Sequence, residues 1–303
     1  MTAQMLFWIL TQSALLASSW ALGARWLGES ASVGERASAA CLLAFATPIG
    51  VVAVLSTGSW ITPGAVLGSG VASAVAGLWA AGSAGRARAR KDAARAFSLL
   101  LESCKSSAVL PVMLGCVALG LSAWAALLLP FWAWDSLGYH MPIVWDALDV
   151  GALRRVPTHG WYINVYPRAG EMYFVWVRAL LGHDRLLDFA QAPFALGACA
   201  GAASLARRAG AEPTRAFAYA VVYLAVPVVA LQIPTGYVDL VYACFLILAA
   251  LFATGSLDVK RAALFGLAAG LLLATKPTAP PTVVLLVATY CVRCLLARRK
   301  SLI

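Results

Sequence analysis

The run SAVLPVMLGCVALGLSAWAALLLPF, Ser107 to Phe131, passes directly into Trp132-Ala133-Trp134-Asp135-Ser136-Leu137-Gly138-Tyr139-His140-Met141-Pro142. Its 25 residues carry no charged side chain and are long enough to cross a hydrocarbon core, which takes about 20. An acid, a tyrosine, a histidine and a proline then arrive together where that helix must leave the lipid. A carboxylate at such a point is costly unless it caps, pairs or does chemistry. This junction decides the fold class and marks the first place to look for a site.

Composition outward from the junction agrees. The chain is 62% hydrophobic and 12% charged, about half the charge of a soluble globular domain. Apolar runs recur along its length, at about 3–24, 37–56, 60–82, 107–131, 186–206, 215–233, 238–254, 261–276 and 280–297. The pattern predicts an all-α polytopic membrane protein with nine spans, the last three short or interrupted by polar residues. Stretches such as Gly64-Ala65-Val66-Leu67-Gly68-Ser69-Gly70 and Gly266-Leu267-Ala268-Ala269-Gly270 supply small residues for close helix packing in lipid. The N-terminal run lacks the basic start of a cleaved leader and reads as a retained span.

Charge asymmetry gives orientation. Arg86, Arg88, Arg90, Lys91, Arg95 and Lys105 crowd one loop, which the positive-inside rule places in the cytoplasm. Alternating from there puts 17 of the 23 Lys and Arg inside, with the N-terminus outside and the C-terminus in the cytoplasm. This holds if 170–182, about 13 residues, does not cross. The same parity brings Asp135, Glu171, Asp239 and Lys276 to the external face. Asp239 follows a Pro234-Thr235-Gly236-Tyr237 break, and Lys276 lies in Ala274-Thr275-Lys276-Pro277-Thr278, another broken helix end.

The outer segment 132–185 is aromatic: Trp132, Trp134, Tyr139, Trp145, Trp161, Tyr162, Tyr166, Tyr173 and Trp176. Such residues favour the headgroup region. The spacing predicts an amphipathic interfacial helix over 136–150 and a second, opened by Glu171 after a Tyr166-Pro167-Arg168-Ala169-Gly170 turn. Asp146 and Asp149 fall on the solvated face of the first.

Asp-x-x-x-Tyr-His-x-Pro after a long span, Tyr-Pro-x-x-Gly-Glu before an interfacial helix, Gly236-Tyr237-Val238-Asp239, and Thr275-Lys276 after Gly-x-x-x-Gly resemble the GT-C-fold glycosyltransferases. The nearest relatives in pattern are the bacterial protein O-mannosyltransferase and aminoarabinose-transferase group. The resemblance covers roughly 107–297, with 1–106 as a three-span extension plus basic cytoplasmic loop. It implies a bacterial inner-membrane enzyme that transfers a sugar, with inversion, from a polyprenyl-phosphate donor on the external face. Asp135 matches the acid that acts at the acceptor in that family, where a carboxylate takes the proton of an attacking hydroxyl. Lys276, with Arg168 as a second cation, would stabilise the phosphate leaving group. Tyr139, His140, Glu171 and Asp239 complete the implied substrate-binding set. Asp135, His140, Glu171 and Asp239 would also offer hard oxygens and one imidazole, a set that suits magnesium or manganese, although no Asp-x-Asp pair accompanies them.

Structural roles compete at each position: a cap at Asp135 or Asp239, a helix-dipole contact at Glu171, a snorkelling Lys276. Two features depart from the family pattern. Three spans precede the Asp135 segment, and the chain stops after Arg298-Arg299-Lys300, which is the expectation for a shorter or truncated member. A transporter or lipid flippase is the rival class, since charges at broken helices also mark transport sites. A non-catalytic envelope scaffold is the third. The partners implied are a lipid-linked donor and membrane lipid. Nucleic acid is not among them, because topology already accounts for the basic loop. The seven cysteines, none in 132–185, form no disulfide framework.

Overall fold

A computed structural model describes residues 3–106, 108–157 and 160–300, with the side chains of residues 161, 162, 299 and 300 left aside. Ser107, where the fourth expected span begins, the side chains of Trp161 and Tyr162, and the end of the basic tail lie outside the described residues. Twelve α-helices and no strand occur among the described residues. They are α1 (Ala3–Leu27), α2 (Val33–Thr57), α3 (Pro63–Cys104), α4 (Val109–Leu128), α5 (Met141–Val150), α6 (Ala169–Leu181), α7 (Ala192–Arg208), α8 (Pro213–Val222), α9 (Pro227–Gln232), α10 (Asp239–Ala253), α11 (Val259–Leu273) and α12 (Ala279–Lys300).

Six of these helical stretches are long and apolar enough to cross a membrane: α1, α2, α3, α4, 188–208 and α12. The fold is that of a multi-pass helical membrane protein. Leu110, Met113, Leu114, Val117, Leu121 and Trp124 are exposed along α4, and Val284, Leu285 and Leu295 along α12, an outward face suited to lipid and not to water. The inner face of α4 is small. A Cβ on Gly115 would stand 2.4 Å from Val221 Cγ1, so only glycine lets the two helices approach this closely.

The three remaining expected spans differ. The segment 215–233 is not one helix: α8 ends at Val222, a 3₁₀ turn follows, and Val226 turns extended (ψ 125°) ahead of Pro227. Proline disfavours helical geometry in the residue before it, so the break is local in origin. α10 and α11 have 15 residues each, roughly 22 Å of helix. Short as they are, they still run between the two ends of the bundle.

At one end, basic side chains tie the helices together. Arg36 donates to both oxygens of the buried Asp92, at 2.6 Å each, and to the carbonyls of Gly28 and Ala31. Glu35 closes a capping box with Ser32 and accepts from Arg208 and Arg261, both at 3.1 Å. Arg208 reaches Leu251 O, and Arg293 reaches Gly255 O. α2, α3, α7, α10, α11 and α12 are thus pinned at one level, called here the basal end. The opposite end gathers the loops at 129–140, 164–169, 233–239 and 274–278.

α6 corrects an expectation. It does not lie on a surface. Glu171, Tyr173, Phe174, Val175, Trp176, Val177 and Leu181 are all buried, and the helix packs against α1, α2, α3 and α5. The physical reason is its composition: a helix apolar on nearly every face has no outward side to give to headgroups. Tyr173 and Trp176 are therefore core residues, whereas Trp132 and Trp134 are exposed. A Cβ on Gly70 of α3 would meet Trp176 at 2.6 Å, which shows how tightly α6 is inserted. Its start adjoins Ala274, and its C-terminal Gly182 adjoins Gln4 at the beginning of α1. Both of its ends sit in the non-basal half, so it does not cross the bundle. α5 is amphipathic as the spacing predicts, with Met141, Ile143, Val144 and Ala147 buried.

Candidate functional site

Leu129 leaves α4 in extended conformation and the chain reaches Asp135 through Pro130. Ser136–His140 then forms a π turn, closed by Met141 N–H to Ser136 O. Pro142 has no N–H for the turn ahead of it, and the wider i→i+5 turn occupies that place. Such turns recur at functional sites. The π turn throws Tyr139 back over Asp135, with Tyr139 Oη donating to Asp135 Oδ2 at 3.4 Å. It sets the Tyr139 and His140 rings against each other, 4.0 Å between centroids and tilted by 41°. Asp135 makes no side-chain cap bond, so the capping alternative does not describe it.

Three further segments close on this turn. Gly236 N–H donates to the buried Ser136 Oγ at 3.0 Å. A Cβ on Gly236 would come 2.9 Å from Met141 Cε and 3.2 Å from Ser136 Oγ, so the 236 turn packs closely on this segment. Asp135 N–H donates to Tyr237 Oη at 3.5 Å. Ala169 N–H, at the start of α6, donates to Ala274 O at 2.8 Å, beside Thr275 and Lys276. Gly170 sits where a Cβ would be 2.3 Å from Val238 Cγ1.

The result is a cavity of about 220 Å³ lined by Tyr139, His140, Tyr166, Glu171, Thr275 and Lys276, with Pro167, Val238, Pro277 and Thr278. In its wall His140 Nδ1 and Glu171 Oε1 are 2.6 Å apart, both buried. Glu171 Oε2 is buried with no hydrogen-bond partner among the described residues. Lys276 Nζ donates to Asp239 Oδ1 at 2.6 Å, and both side chains are part-exposed. An ammonium has three donors, so Lys276 can hold Asp239 and still receive an anionic oxygen. Burial, and next to it the negative charge of Asp135 and Glu171, pushes the Tyr139 phenol well above its ordinary range. It remains a protonated donor at neutral pH, which suits its bond to Asp135.

Of the residues singled out from sequence, Tyr139, His140, Glu171 and Lys276 line this cavity. Asp135 adjoins it through Tyr139, and Asp239 through Lys276. Arg168 does not join them. Its guanidinium donates to Arg154 O at 2.6 Å, and to Ile163 O and Asn164 Oδ1 at 3.2 Å each. Burial lowers its pKa. It ties residue 154 to residues 163 and 164, and it is not among the residues that line the cavity. Asp146 pairs with Arg154 at 2.9 Å. No group of three or more His, Cys, Asp or Glu placed to hold a metal occurs among the described residues. His140 with Glu171 and Asp239 with Lys276 are instead two separate pairs.

Sequence reasoning passed over Ser136 and Gln191. Gln191 is fully buried. Its Nε2 donates to Gln232 O, Thr235 O and Thr235 Oγ1, and its Oε1 accepts from Leu240 N–H. It thereby holds the 232–240 break that presents Gly236, Val238 and Asp239. A lone glutamine in an apolar run gives no spacing signal. Tyr166 and Tyr237 stood inside recognisable motifs and could have been found there.

No known family model, curated protein or solved structure matches this chain.

Proposed function

We propose that this chain is a membrane glycosyltransferase acting at the Tyr139–Lys276 cavity, with a polyprenyl-phosphate sugar as donor and a hydroxyl group as acceptor. What supports the reading is one observation: segments far apart in sequence bring a protonated phenol, a buried His–Glu pair and a lysine to a single cavity at one end of a membrane bundle, with the part-exposed Asp135 carboxylate adjoining it through Tyr139. In the proposed step the acceptor oxygen attacks the anomeric carbon as the bond from that carbon to the phosphate oxygen breaks. The acceptor proton passes to the Asp135 carboxylate. The polyprenyl phosphate leaves with its charge held by Lys276. A single displacement of this kind inverts the anomeric centre and needs one base, unlike retaining glycoside hydrolysis.

Lys276→Met tests the phosphate assignment. The variant is expected to bind polyprenyl phosphate in detergent about ten-fold more weakly, the loss of one charge-assisted contact. Binding of the uncharged polyprenol should be unchanged. Equal loss for both lipids would count against a phosphate role. The external placement of the site is tested separately, with single cysteines replacing the exposed Trp134 or Arg95 in a background lacking the native cysteines. An impermeant maleimide should label position 134 in intact cells and position 95 only after permeabilisation. Labelling of both from the same side would overturn the orientation.

A further inference from the structure

A second cavity, about 310 Å³, lies between α1 and α3 toward the basal end, lined by Ala17, Trp20, Ala21, Leu78, Arg86, Ala89, Arg90 and Ala93. Its origin is legible in the backbone. Gly82 interrupts α3 with φ 61° and ψ −174°, a conformation that suits glycine. Arg86 Nη1 spans the break to donate to Leu78 O at 2.8 Å. Alanines at 17, 21, 89 and 93 leave the space between the two helices unfilled. Arg86 and Arg90, four residues apart, fall on one face of the helix.

The charge here is not neutralised internally. Within 86–95 the sole acid is Asp92, and it is taken by Arg36. Arg88 pairs with Glu29 at 3.0 Å. Arg90 has no partner among the described residues, and Arg86 uses one of its donors. Trp20 Nε1 in the same wall is buried and has no hydrogen-bond partner among the described residues. The cavity is thus an apolar trough with two guanidiniums and an indole N–H, beside helices apolar enough to cross a membrane.

We propose that this groove binds one anionic phospholipid. Its phosphate lies between Arg86 and Arg90, and its glycerol and upper acyl carbons lie over Trp20, Ala21 and Leu78. Charge complementarity selects an anionic headgroup over a zwitterionic one, since two forked cations hold the phosphate and no acid lines the groove to receive a choline or ethanolamine. The apolar floor selects a lipid over a free phosphate.

The test uses the full chain in a neutral detergent, with thermal unfolding followed during titration by phosphatidylglycerol, phosphatidylcholine or inorganic phosphate. A saturable rise in Tm with phosphatidylglycerol alone is expected. Arg90→Gln should weaken the apparent affinity about ten-fold. Ala93→Phe, which fills the trough while keeping both arginines, should weaken it as well, whereas Arg95→Gln, outside the groove, should not. Equal responses to the two lipids would overturn the proposal. So would a matching response to inorganic phosphate, an unaltered Arg90→Gln, or an equal loss with Arg95→Gln.

Discussion

Replacing Asp135 by asparagine is expected to slow sugar transfer by about 10²–10⁴-fold, the ordinary contribution of a positioned general base. Asparagine keeps the shape of the side chain and can still accept from Tyr139 Oη, but it cannot take a proton. Asp135 is part-exposed, makes no cap bond and has no ion-pair partner among the described residues, so the substitution should leave folding intact. KM for the donor should stay nearly the same, because the lost interaction belongs to the transition state. Tyr139→Phe, which removes the hydroxyl that donates to Asp135, should cost far less. Single-turnover rates with a saturating donor would separate these outcomes. A fully active Asp135→Asn would leave the cavity without its proposed base.

The second large effect is structural and lies at the other end of the bundle. Asp92→Ala is expected to destabilise the fold by about 3–5 kcal/mol, because it leaves a buried guanidinium without its anion. Arg36 is 8% exposed and Asp92 3%. Their two bonds, with those from Arg36 to Gly28 O and Ala31 O, tie the α1–α2 turn to α3. Removing both partners together, as in Arg36→Met with Asp92→Leu, should recover much of the loss, since the cost lies in the orphaned charge. Denaturation midpoints of the single and double variants would show this. Equal destabilisation by Asp92→Ala and the double variant would mean that the pair itself, and not the stranded charge, carries the stability.

The membrane class was legible because hydropathy is set residue by residue and survives any tertiary arrangement. The basal network was partly legible too: the asymmetry of Arg and Lys put Arg36, Arg208, Arg261 and Arg293 on one side, and they meet there. The nature of α6 was not. Its Glu, Tyr and Trp drew the reading toward an interface anchor, while its nearly all-round apolar face, which α1, α2 and α3 cover, makes it a core helix. Pro227 could have split the 215–233 run on local grounds alone. Convergence of Tyr139, His140, Glu171 and Lys276 on one cavity depends on close packing at Gly170 and Gly236, whose contacts come from distant segments. Arg168 carries the right charge in the right loop, yet the carbonyls of 154 and 163 claim it. The Asp239–Lys276 pair joins residues 37 apart, and nothing in either neighbourhood announces the other.

The most direct test of the proposed function is a mass balance. Purified protein in lipid nanodiscs would be given a polyprenyl-phosphate sugar and a mixed membrane glycan acceptor, and both products followed by mass spectrometry. Glycosylated acceptor and free polyprenyl phosphate should appear in equal amounts with wild type, and neither above background with Asp135→Asn. An intact donor that merely crosses the bilayer of sealed vesicles, with no covalent product at any time, would contradict a transferase and leave a transporter.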